Sequence, residues 1–289
     1  MNIELIIGII NIVLIATTPL VFAAIGELVT EKTGVLNLGV EGMMLVGAVT
    51  AFVTLVITGS YFLAFLISIL SGLLMSGLFA FLVLILMSNQ VATGLALTIF
   101  GIGLSSMIGK EYIGTPINGL NPYFFIILSF LIVFGVSYFF YKTKTGLIFR
   151  AVGESHSSAH ALGYSVIKIR LLGILFGGAM CALAGSYMSI CYAPMWQENM
   201  TAGRGWIALA LVVFATWKPN RILIGAYIFG GVSIMQMNLQ AFGLSIPGQF
   251  FNMAPYLATM IVLVAISSNK LRIKLSAPAS LTKPFFKGR

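Results

Sequence analysis

Ionisable side chains are rare in this chain, so each one inside an apolar stretch is a candidate for chemistry. The 289 residues contain seven acidic residues, all of them Glu, and only 8% of the chain is charged. Glu41 follows Lys32 by nine residues, which on a helix is roughly 13 Å. A carboxylate at that depth in lipid is costly and usually faces a cavity or a partner. The position of Glu41 therefore predicts that its carboxylate either faces a polar pathway or is hydrogen-bonded within the packed protein.

A second polar group stands before a short apolar run. Glu198 and Arg204 are close enough in sequence to pair, and Asn199 lies between them. The run 205–217 is too short to cross a hydrocarbon layer of ~30 Å, so it is predicted to be a half-helix or re-entrant segment. The polar residues before it fit a substrate route or an ordinary outer loop equally well. Glu27 and Glu31, near the end of the first apolar run, are predicted to be solvated.

The third candidate is the polar, basic stretch 142–170. His156 and His160 are spaced to share a helix face as a metal pair, but only Glu154 is near enough to be a third ligand, so a solvated helix is favoured. Ser155 suits the start of this short helix and Gly163 its end. The chain contains no Walker A, HExxH or GxSxG sequence, so we expect neither ATP hydrolysis nor another enzyme activity from it.

The composition of the chain indicates that these residues belong to a membrane protein. The chain is 59% hydrophobic with a mean hydropathy of +1.05, and lipid-exposed backbone is satisfied only in helices or closed barrels. The prediction is an all-α, polytopic bundle of eight to ten spans, forming one domain over 1–289. The predicted spans are 5–28, 38–58, 61–87, 91–109, 123–141, 171–192, 205–217, 222–242 and 254–268.

The distribution of Lys and Arg predicts the orientation. With the N-terminus outside, fourteen of the sixteen basic residues fall on the cytoplasmic side, as the positive-inside rule requires. The loop 142–170 and the basic tail 270–289 are then cytoplasmic, and the tail is expected to be a surface-lying or disordered anchor at the anionic lipid leaflet. The rule also explains the net charge of +9 without a nucleic-acid partner.

Glycine spacing predicts close helix packing and one broken span. Gly173 and Gly177 form a GxxxG pair, typical of helices that approach closely in membranes. Gly34, Gly39 and Gly42 surround Asn37 and Glu41, so the second span is predicted to begin with an irregular segment, as in the broken helices of transporters.

Three ordered motifs resemble one family. They are GELVTEKTGVLNLGVEGMMLVGA at 26–48, Thr145-Gly146 leading to RAVGE at 150–154, and ENMTAGRG followed by Ile207 at 198–207. Together they resemble the membrane permeases of bacterial ABC importers for branched-chain amino acids, ribose and simple sugars. The Leu-Asn-Leu-Gly form at 36–39 is similar to the nucleoside and simple-sugar branch. Many members have Asn-Pro where this chain has Ser155-His156, so the helix start depends on Ser155.

The resemblance implies a role for the chain and a set of partners. The partners are a second, non-identical permease, a cytoplasmic ABC ATPase and an extracytoplasmic substrate-binding lipoprotein, in a bacterial cell membrane. The chain itself would bind no cofactor, because ATP and Mg belong to the ATPase. The residues implied to couple to that ATPase are Arg150, Gly153, Glu154, Ser155, His156, Ala159 and Gly163. The candidates for the translocation path are Asn37, Glu41, Asn199 and Arg204.

Several alternatives stay open. The substrate is predicted to be a nucleoside or a related simple sugar, and permeases for ribose, galactose or branched-chain amino acids are the alternatives. From a different class, an ion-coupled secondary carrier is also considered. Such carriers place charged residues at several mid-span positions, whereas only Glu41 has that position here.

Overall fold

The computed structural model describes residues 3–241 and 277–286, with isolated positions between 253 and 264. Within these residues the chain is all-α, as predicted, and forms no strand. The helices in chain order are α1 (Ile3–Lys32), α2 (Val40–Thr58), α3 (Tyr61–Ala80), α4 (Gln90–Gly109), α5 (Tyr123–Lys142), α6 (Lys144–Glu154), α7 (His156–Ala161), α8 (Val166–Tyr187), α9 (Arg204–Phe214) and α10 (Pro219–Ala241). π-Helical turns at Phe81–Ile85 and Met188–Tyr192 extend α3 and α8, and a 3₁₀ turn at Lys110–Tyr112 extends α4.

The helices confirm a membrane protein and correct the edges of the predicted spans. Among the described residues, α1 to α5 and α8 are long and apolar enough to cross a bilayer. α1 continues to Lys32 rather than ending at 28, and α8 begins at Val166 rather than 171. The ninth predicted span, 254–268, lies outside the continuously described residues, so the total span count stays a prediction.

α2 is the centre of the bundle and packs against α3, α4, α8 and α9. Its neighbours approach through small residues: a Cβ on Gly101 of α4 would lie 2.6 Å from Gly42, and one on Gly185 of α8 would lie 1.9 Å from the Met44 carbonyl oxygen. Such contacts let van der Waals packing and backbone contacts hold helices together where lipid provides no hydrophobic driving force.

The GxxxG pair of α8 packs against α1, as predicted. A Cβ on Gly173 would lie 2.7 Å from the Thr33 side chain, and one on Gly177 would lie 2.3 Å from the Thr30 hydroxyl oxygen. The Thr30 hydroxyl in turn bonds the Gly173 carbonyl oxygen across the interface at 3.2 Å. Close approach here therefore allows a hydrogen bond between two helices.

Basic residues from distant parts of the sequence meet at one end of the bundle, which we call the basic end. Lys32, Arg150, Glu154 and Lys218 line a cavity of about 320 Å³ there. The opposite end is formed by the α4–α5 connection, where the Gly114 amide donates to the Trp196 carbonyl oxygen at 3.2 Å. This separation agrees with the charge distribution that the sequence analysis used.

The C-terminal segment Ala277–Phe286 also lies at the basic end. The Ser280 amide donates to the Gly153 carbonyl oxygen at 2.8 Å, and the Ser280 side chain is buried. Of the two predicted states, a disordered tail is wrong for this segment, because its backbone is bonded to the loop 142–170. The remaining tail residues, 270–276 and 287–289, lie outside the described residues.

Candidate functional site

The first site is the N-terminus of α9, where the carboxylate of Glu41 accepts three hydrogen bonds. The Thr201 hydroxyl and the Gly203 amide donate to Oε1 at 2.5 and 2.8 Å, and the Gly205 amide donates to Oε2 at 2.6 Å. Glu41 is only 3% exposed. Of the two predicted environments, the structure has the hydrogen-bonded packing position.

Two helix N-termini meet at this carboxylate. Glu41 lies in the first turn of α2, and the amides that it binds belong to the first turn of α9 and the residue before it. Helix N-termini carry a partial positive charge and unpaired N–H groups, so both helices stabilise an anion here. Gly205 makes the contact possible, because a Cβ there would lie 2.6 Å from the Glu41 Cα atom.

α9 is the short helix that the sequence predicts for 205–217. Its 11 residues span about 16 Å, roughly half of a hydrocarbon layer. Trp217, just beyond its end, lies at the basic end beside Lys218. The N-terminus of α9, together with Glu41, therefore lies about halfway through the bundle.

The far end of α9 is held by a second carboxylate. The Trp217 indole Nε1 donates to Oε2 of Glu31 at 2.5 Å, and Glu31 is 1% exposed. The prediction that Glu27 and Glu31 are solvated is wrong. Glu27 is fully buried and accepts the Asn37 amide at 2.9 Å, so one carboxylate binds irregular backbone and the other binds an indole side chain from inside the protein.

The backbone is strained on both sides of α9. Asn199 and Ala202 before it have φ angles of 54° and 47°, and Thr216 and Trp217 after it have 50° and 53°. Non-glycine residues adopt this left-handed conformation at a cost, and such residues cluster at functional sites. Bonds from Glu41 and Glu31 offset that cost at the two ends.

The four candidates for the translocation path have different surroundings in the structure. The Asn37 side chain is buried and accepts the Gly39 amide at 2.9 Å, so it stabilises the irregular segment before α2. Asn199 is exposed in the turn before α9. The Arg204 guanidinium lies 4.8 Å from the centre of the Tyr192 ring, and among the described contacts it does not pair with Glu198.

The sequence motif contained the ligands of Glu41 but not their pairing. Thr201, Gly203 and Gly205 are all in the motif at 198–207, 160 or more residues from Glu41. A polar residue placed among glycines just before a short apolar run was the available signal. The sequence did not indicate which distant side chain would accept hydrogen bonds from the N-terminus of α9.

The second site is the pair α6 and α7 at the basic end. Ser155 begins α7 as predicted, and its hydroxyl accepts the Ser158 amide at 3.3 Å. Gly163 follows α7 with a φ of +87°, where glycine is strongly favoured. The predicted short helix is therefore present with both of its predicted ends.

The predicted coupling residues differ in how far they are buried. Glu154 and Gly163 are exposed, and Arg150, Ser155 and His156 are half-buried, whereas Gly153 and Ala159 face inward. A Cβ on Gly153 would lie 2.1 Å from the Lys32 carbonyl oxygen. Gly153 and Ala159 therefore position this region and do not offer a surface.

Two exposed apolar side chains were missed by the sequence reasoning. Leu162 is 76% exposed and Tyr164 is 41% exposed, both directly after α7 and outside the helices that can cross a bilayer. We define the contact surface as Glu154, Ser157, His160, Leu162 and Tyr164, all exposed. Exposed apolar residues rimmed by polar ones are typical of interaction sites.

The two histidines flank an aromatic ring. The centre of the Phe285 ring lies 5.6 Å from that of His156 and 5.2 Å from that of His160. Burial, with the positive charges of Arg170 and Lys283, lowers the pKa of His156 below its ordinary value. In the described part of the chain no group of three potential ligands could hold a metal ion.

Comparison with known proteins identifies a transport family. Residues 9–266 match the family described as "Branched-chain amino acid transport system / permease component". A putative glucose ABC transporter permease of Haloferax volcanii is 35% identical, over 96% of this chain and 97% of that protein. A guanosine ABC transporter permease of Bacillus subtilis is 28% identical, over 96% and 95%. A nucleoside ABC transporter permease of Lactococcus lactis is 29% identical, over 86% and 89%.

Two of these organisms contain a second related permease. Haloferax volcanii has another glucose ABC transporter permease at 24% identity, and Bacillus subtilis another guanosine permease at 21%. Both second matches cover 77% of this chain. No solved structure gives a significant match.

Proposed function

Since the chain belongs to the family of branched-chain amino acid transport system permease components, we propose that it is the permease subunit of an ATP-driven importer for nucleosides or related simple sugars. The observation that carries the proposal is similarity over nearly the whole chain to permeases named for glucose, guanosine and nucleosides. The Leu-Asn-Leu-Gly sequence at 36–39 is similar to the nucleoside and simple-sugar branch, which includes both substrate classes.

We assign the contact with a cytoplasmic ATPase to the contact surface. Its support is the exposure of Leu162 and Tyr164 on a segment that the bundle does not cover. Glu154 of this surface also lines the cavity at the basic end, and Arg150 lies beside it in the same cavity. Gly153, Ser155 and Ala159 hold the backbone of this region in place, and His156 lies between the surface and the C-terminal segment.

We assign the translocation path to the side of the bundle where α9 begins. Half-helices that start near mid-depth and irregular backbone that lines a cavity are features of substrate sites in transporters. Because Glu41 and Asn37 are occupied by bonds within the chain, they position α2 and α9. Asn199 and Arg204, in the turn before α9 and at its first residue, are then the candidates to face the substrate.

The orientation and the partners follow from the same role. The basic end would be cytoplasmic, with the N-terminus outside and the C-terminus inside, as the charge distribution favours. ATP and Mg would bind the separate ATPase, and a lipoprotein would deliver the substrate. The paired permeases of Haloferax volcanii and Bacillus subtilis support a second, non-identical permease as partner.

The test is coexpression with the cognate ATPase, second permease and lipoprotein, comparing Leu162→Arg with Glu111→Arg. Both positions are exposed, but Glu111 is next to α4 at the opposite end. We expect Leu162→Arg to reduce ATPase co-purification and ATP-dependent guanosine uptake at least about tenfold, and Glu111→Arg to resemble the wild type.

Two results would overturn the proposal. Retention of the ATPase and full uptake by Leu162→Arg would remove the contact assignment. Guanosine or glucose uptake by the lone chain under an ion gradient, without any ATPase, would identify a secondary carrier instead. Binding of guanosine or of glucose to the cognate lipoprotein would decide between the two substrate classes.

A further inference from the structure

The C-terminal segment Ala277–Phe286, which we call the clamp, is attached to α7 by its backbone and side chains. The Ser280 amide donates to the Gly153 carbonyl oxygen at 2.8 Å, and the Ser280 hydroxyl accepts the His156 amide at 3.3 Å. Ser280 is 3% exposed. The clamp thus bonds the last turn of α6 and the first residue of α7 at once.

α7 needs support of this kind. It has six residues, and helices shorter than about 12 residues are marginal in water because their nucleation is costly. Its own Ser155 satisfies one free N–H group, and Ser280 satisfies a second. Phe285 packs against the buried cluster of Val152, Ala159 and Val166, so the clamp also closes the apolar side of α7.

Arg170 connects the clamp to the membrane helices. This residue lies on α8 and is 1% exposed. Its Nη1 donates to the Lys283 carbonyl oxygen at 3.0 Å, and its Nε donates to the Thr33 carbonyl oxygen at 3.2 Å. A buried guanidinium with two such bonds is costly to detach, because a charge without partners would remain inside the protein.

Thr33 links Arg170 to the side of the bundle that is assigned to the translocation path. It directly follows α1 and begins the irregular segment that leads through Asn37 to α2. α2 carries Glu41, which holds the N-terminus of α9. An unbroken chain of bonded elements therefore runs from α7 through the clamp and Arg170 to the two helices at mid-depth.

We propose that the clamp and Arg170 are positioning elements for energy coupling. They make α7, α8 and the turn at Thr33 move as one unit, so a displacement of the contact surface reaches α2 and α9. Without them, a six-residue helix would shift or unfold locally and absorb the displacement. The inference depends on the proposed function, since it requires an ATPase at the contact surface.

A simpler role for the tail is electrostatic anchoring at an anionic lipid leaflet. That role depends on the side-chain charges of the basic tail residues, which are Lys270, Arg272, Lys274, Lys283, Lys287 and Arg289. The clamp instead depends on the Lys283 carbonyl oxygen, on Ser280 and on Phe285. Lys283→Gln removes a charge and keeps the backbone contact, which makes it the matched control for Arg170→Gln.

The experiment uses the full complex in proteoliposomes and measures guanosine transported per ATP hydrolysed. We expect this ratio to fall at least about fivefold in Arg170→Gln, in Phe285→Ala and in a chain ending at Ser276, with the ATPase still bound. Lys283→Gln should match the wild type. Hydrogen exchange of the amides in 153–164 should become faster in the first three variants only.

The possible outcomes separate the two proposals. An unchanged transport ratio in Arg170→Gln and Phe285→Ala overturns the clamp, as does an equal effect of Lys283→Gln, which indicates lipid anchoring. If the wild-type complex shows no ATP-dependent uptake, the proposed function fails, and the hydrogen exchange of 153–164 still tests the clamp. If the shortened chain does not insert, the two point variants carry the test.

Discussion

Two short helices, α9 and α7, have their N-termini bound by distant residues, but the partners differ in kind. α9 is held by the buried carboxylate of Glu41, with three bonds. α7 is held by the neutral hydroxyls of Ser155 and Ser280, near the surface. Glu41 is buried, so its site at mid-depth must be complete within the protein. At the basic end the clamp is proposed to make α7 move together with α8 and the turn at Thr33.

The largest effect should come from closing the space between α9 and α2. In Gly205→Ala the new Cβ would lie 2.6 Å from the Glu41 Cα atom, so α9 must move and its bonds to Glu41 must lengthen. We expect the yield of monodisperse protein to fall about tenfold or more, measured by size-exclusion chromatography. Gly103→Ala on α4 is the control, because nothing lies within 4 Å of its added Cβ. Equal yields of the two variants would contradict a tight α2–α9 contact.

The next effect should come from the charge of Glu41. Glu41→Gln keeps the shape but turns an amide N–H₂ toward one of the three donors, which leaves that buried donor unpaired at a cost of about 1–3 kcal/mol. We expect a lower unfolding temperature in detergent and about tenfold slower uptake. Glu154→Gln, at an exposed position, should leave the unfolding temperature unchanged. A Glu41→Gln variant as stable as the wild type would show that α9 does not depend on this carboxylate.

A smaller effect is expected at the other end of α9. Trp217→Phe removes the only indole donor to Glu31 that the structure describes, so the carboxylate stays buried with one partner fewer. The loss should be about 1–2 kcal/mol of stability, measured by thermal unfolding in detergent. Trp206→Phe, on α9 and 37% exposed, is the matched control and should change little. Comparable losses in both variants would assign the effect to ring packing rather than to the bond.

The smallest effect should be a pH dependence confined to the basic end. The pKa of His156 is lowered by burial and by the charges of Arg170 on α8 and Lys283 in the clamp, with His160 on the far side of Phe285. The neutral form is therefore favoured when folded. Its contribution is complete above the ordinary pKa near 6.5 and is lost as the pH falls below that value. The protection factors of the α7 amides, which correct for the intrinsic pH dependence of exchange, should fall between about pH 6.5 and pH 5 in the wild type.

A variant without the titrating group tests this directly. His156→Gln should remove most of the pH dependence of the protection factors in 153–164, while the protection factors of the α9 amides should not change with pH in either protein. A pH dependence that persists in His156→Gln would assign it to another group, with His160 as the next candidate.

Local patterns in the sequence predicted much of this fold. The apolar runs gave the helices, the shortness of 205–217 gave α9, and the glycines around Asn37 gave the irregular start of α2. Ser155 and Gly163 gave both ends of α7. All of these depend on residues within a few positions of each other, where hydrophobic periodicity and capping act.

Apart from the edges of two spans, the errors concern the partners of individual side chains. Glu31 was predicted to be solvated because its donor, Trp217, is 186 residues away. The tail was predicted to be surface-lying or disordered, and the bond that orders it joins distant residues, since the Ser280 hydroxyl accepts the His156 amide across 124 residues. Arg204 was predicted to be close enough to pair with Glu198, whereas in the structure its guanidinium lies over the Tyr192 ring. The packing of the helices decides which distant residues meet, and composition and spacing carry no information about that packing.

The most direct test of the account is chemical cross-linking from the contact surface to the ATPase. A cysteine at position 162 and one at position 111 would each be labelled with a benzophenone maleimide in the assembled complex, with Cys181 and Cys191 replaced by Ser in both. The account predicts a cross-link to the ATPase from position 162, weakened by the loss of the clamp, and none from position 111. No cross-link from 162, or equal cross-linking from 111, would contradict it.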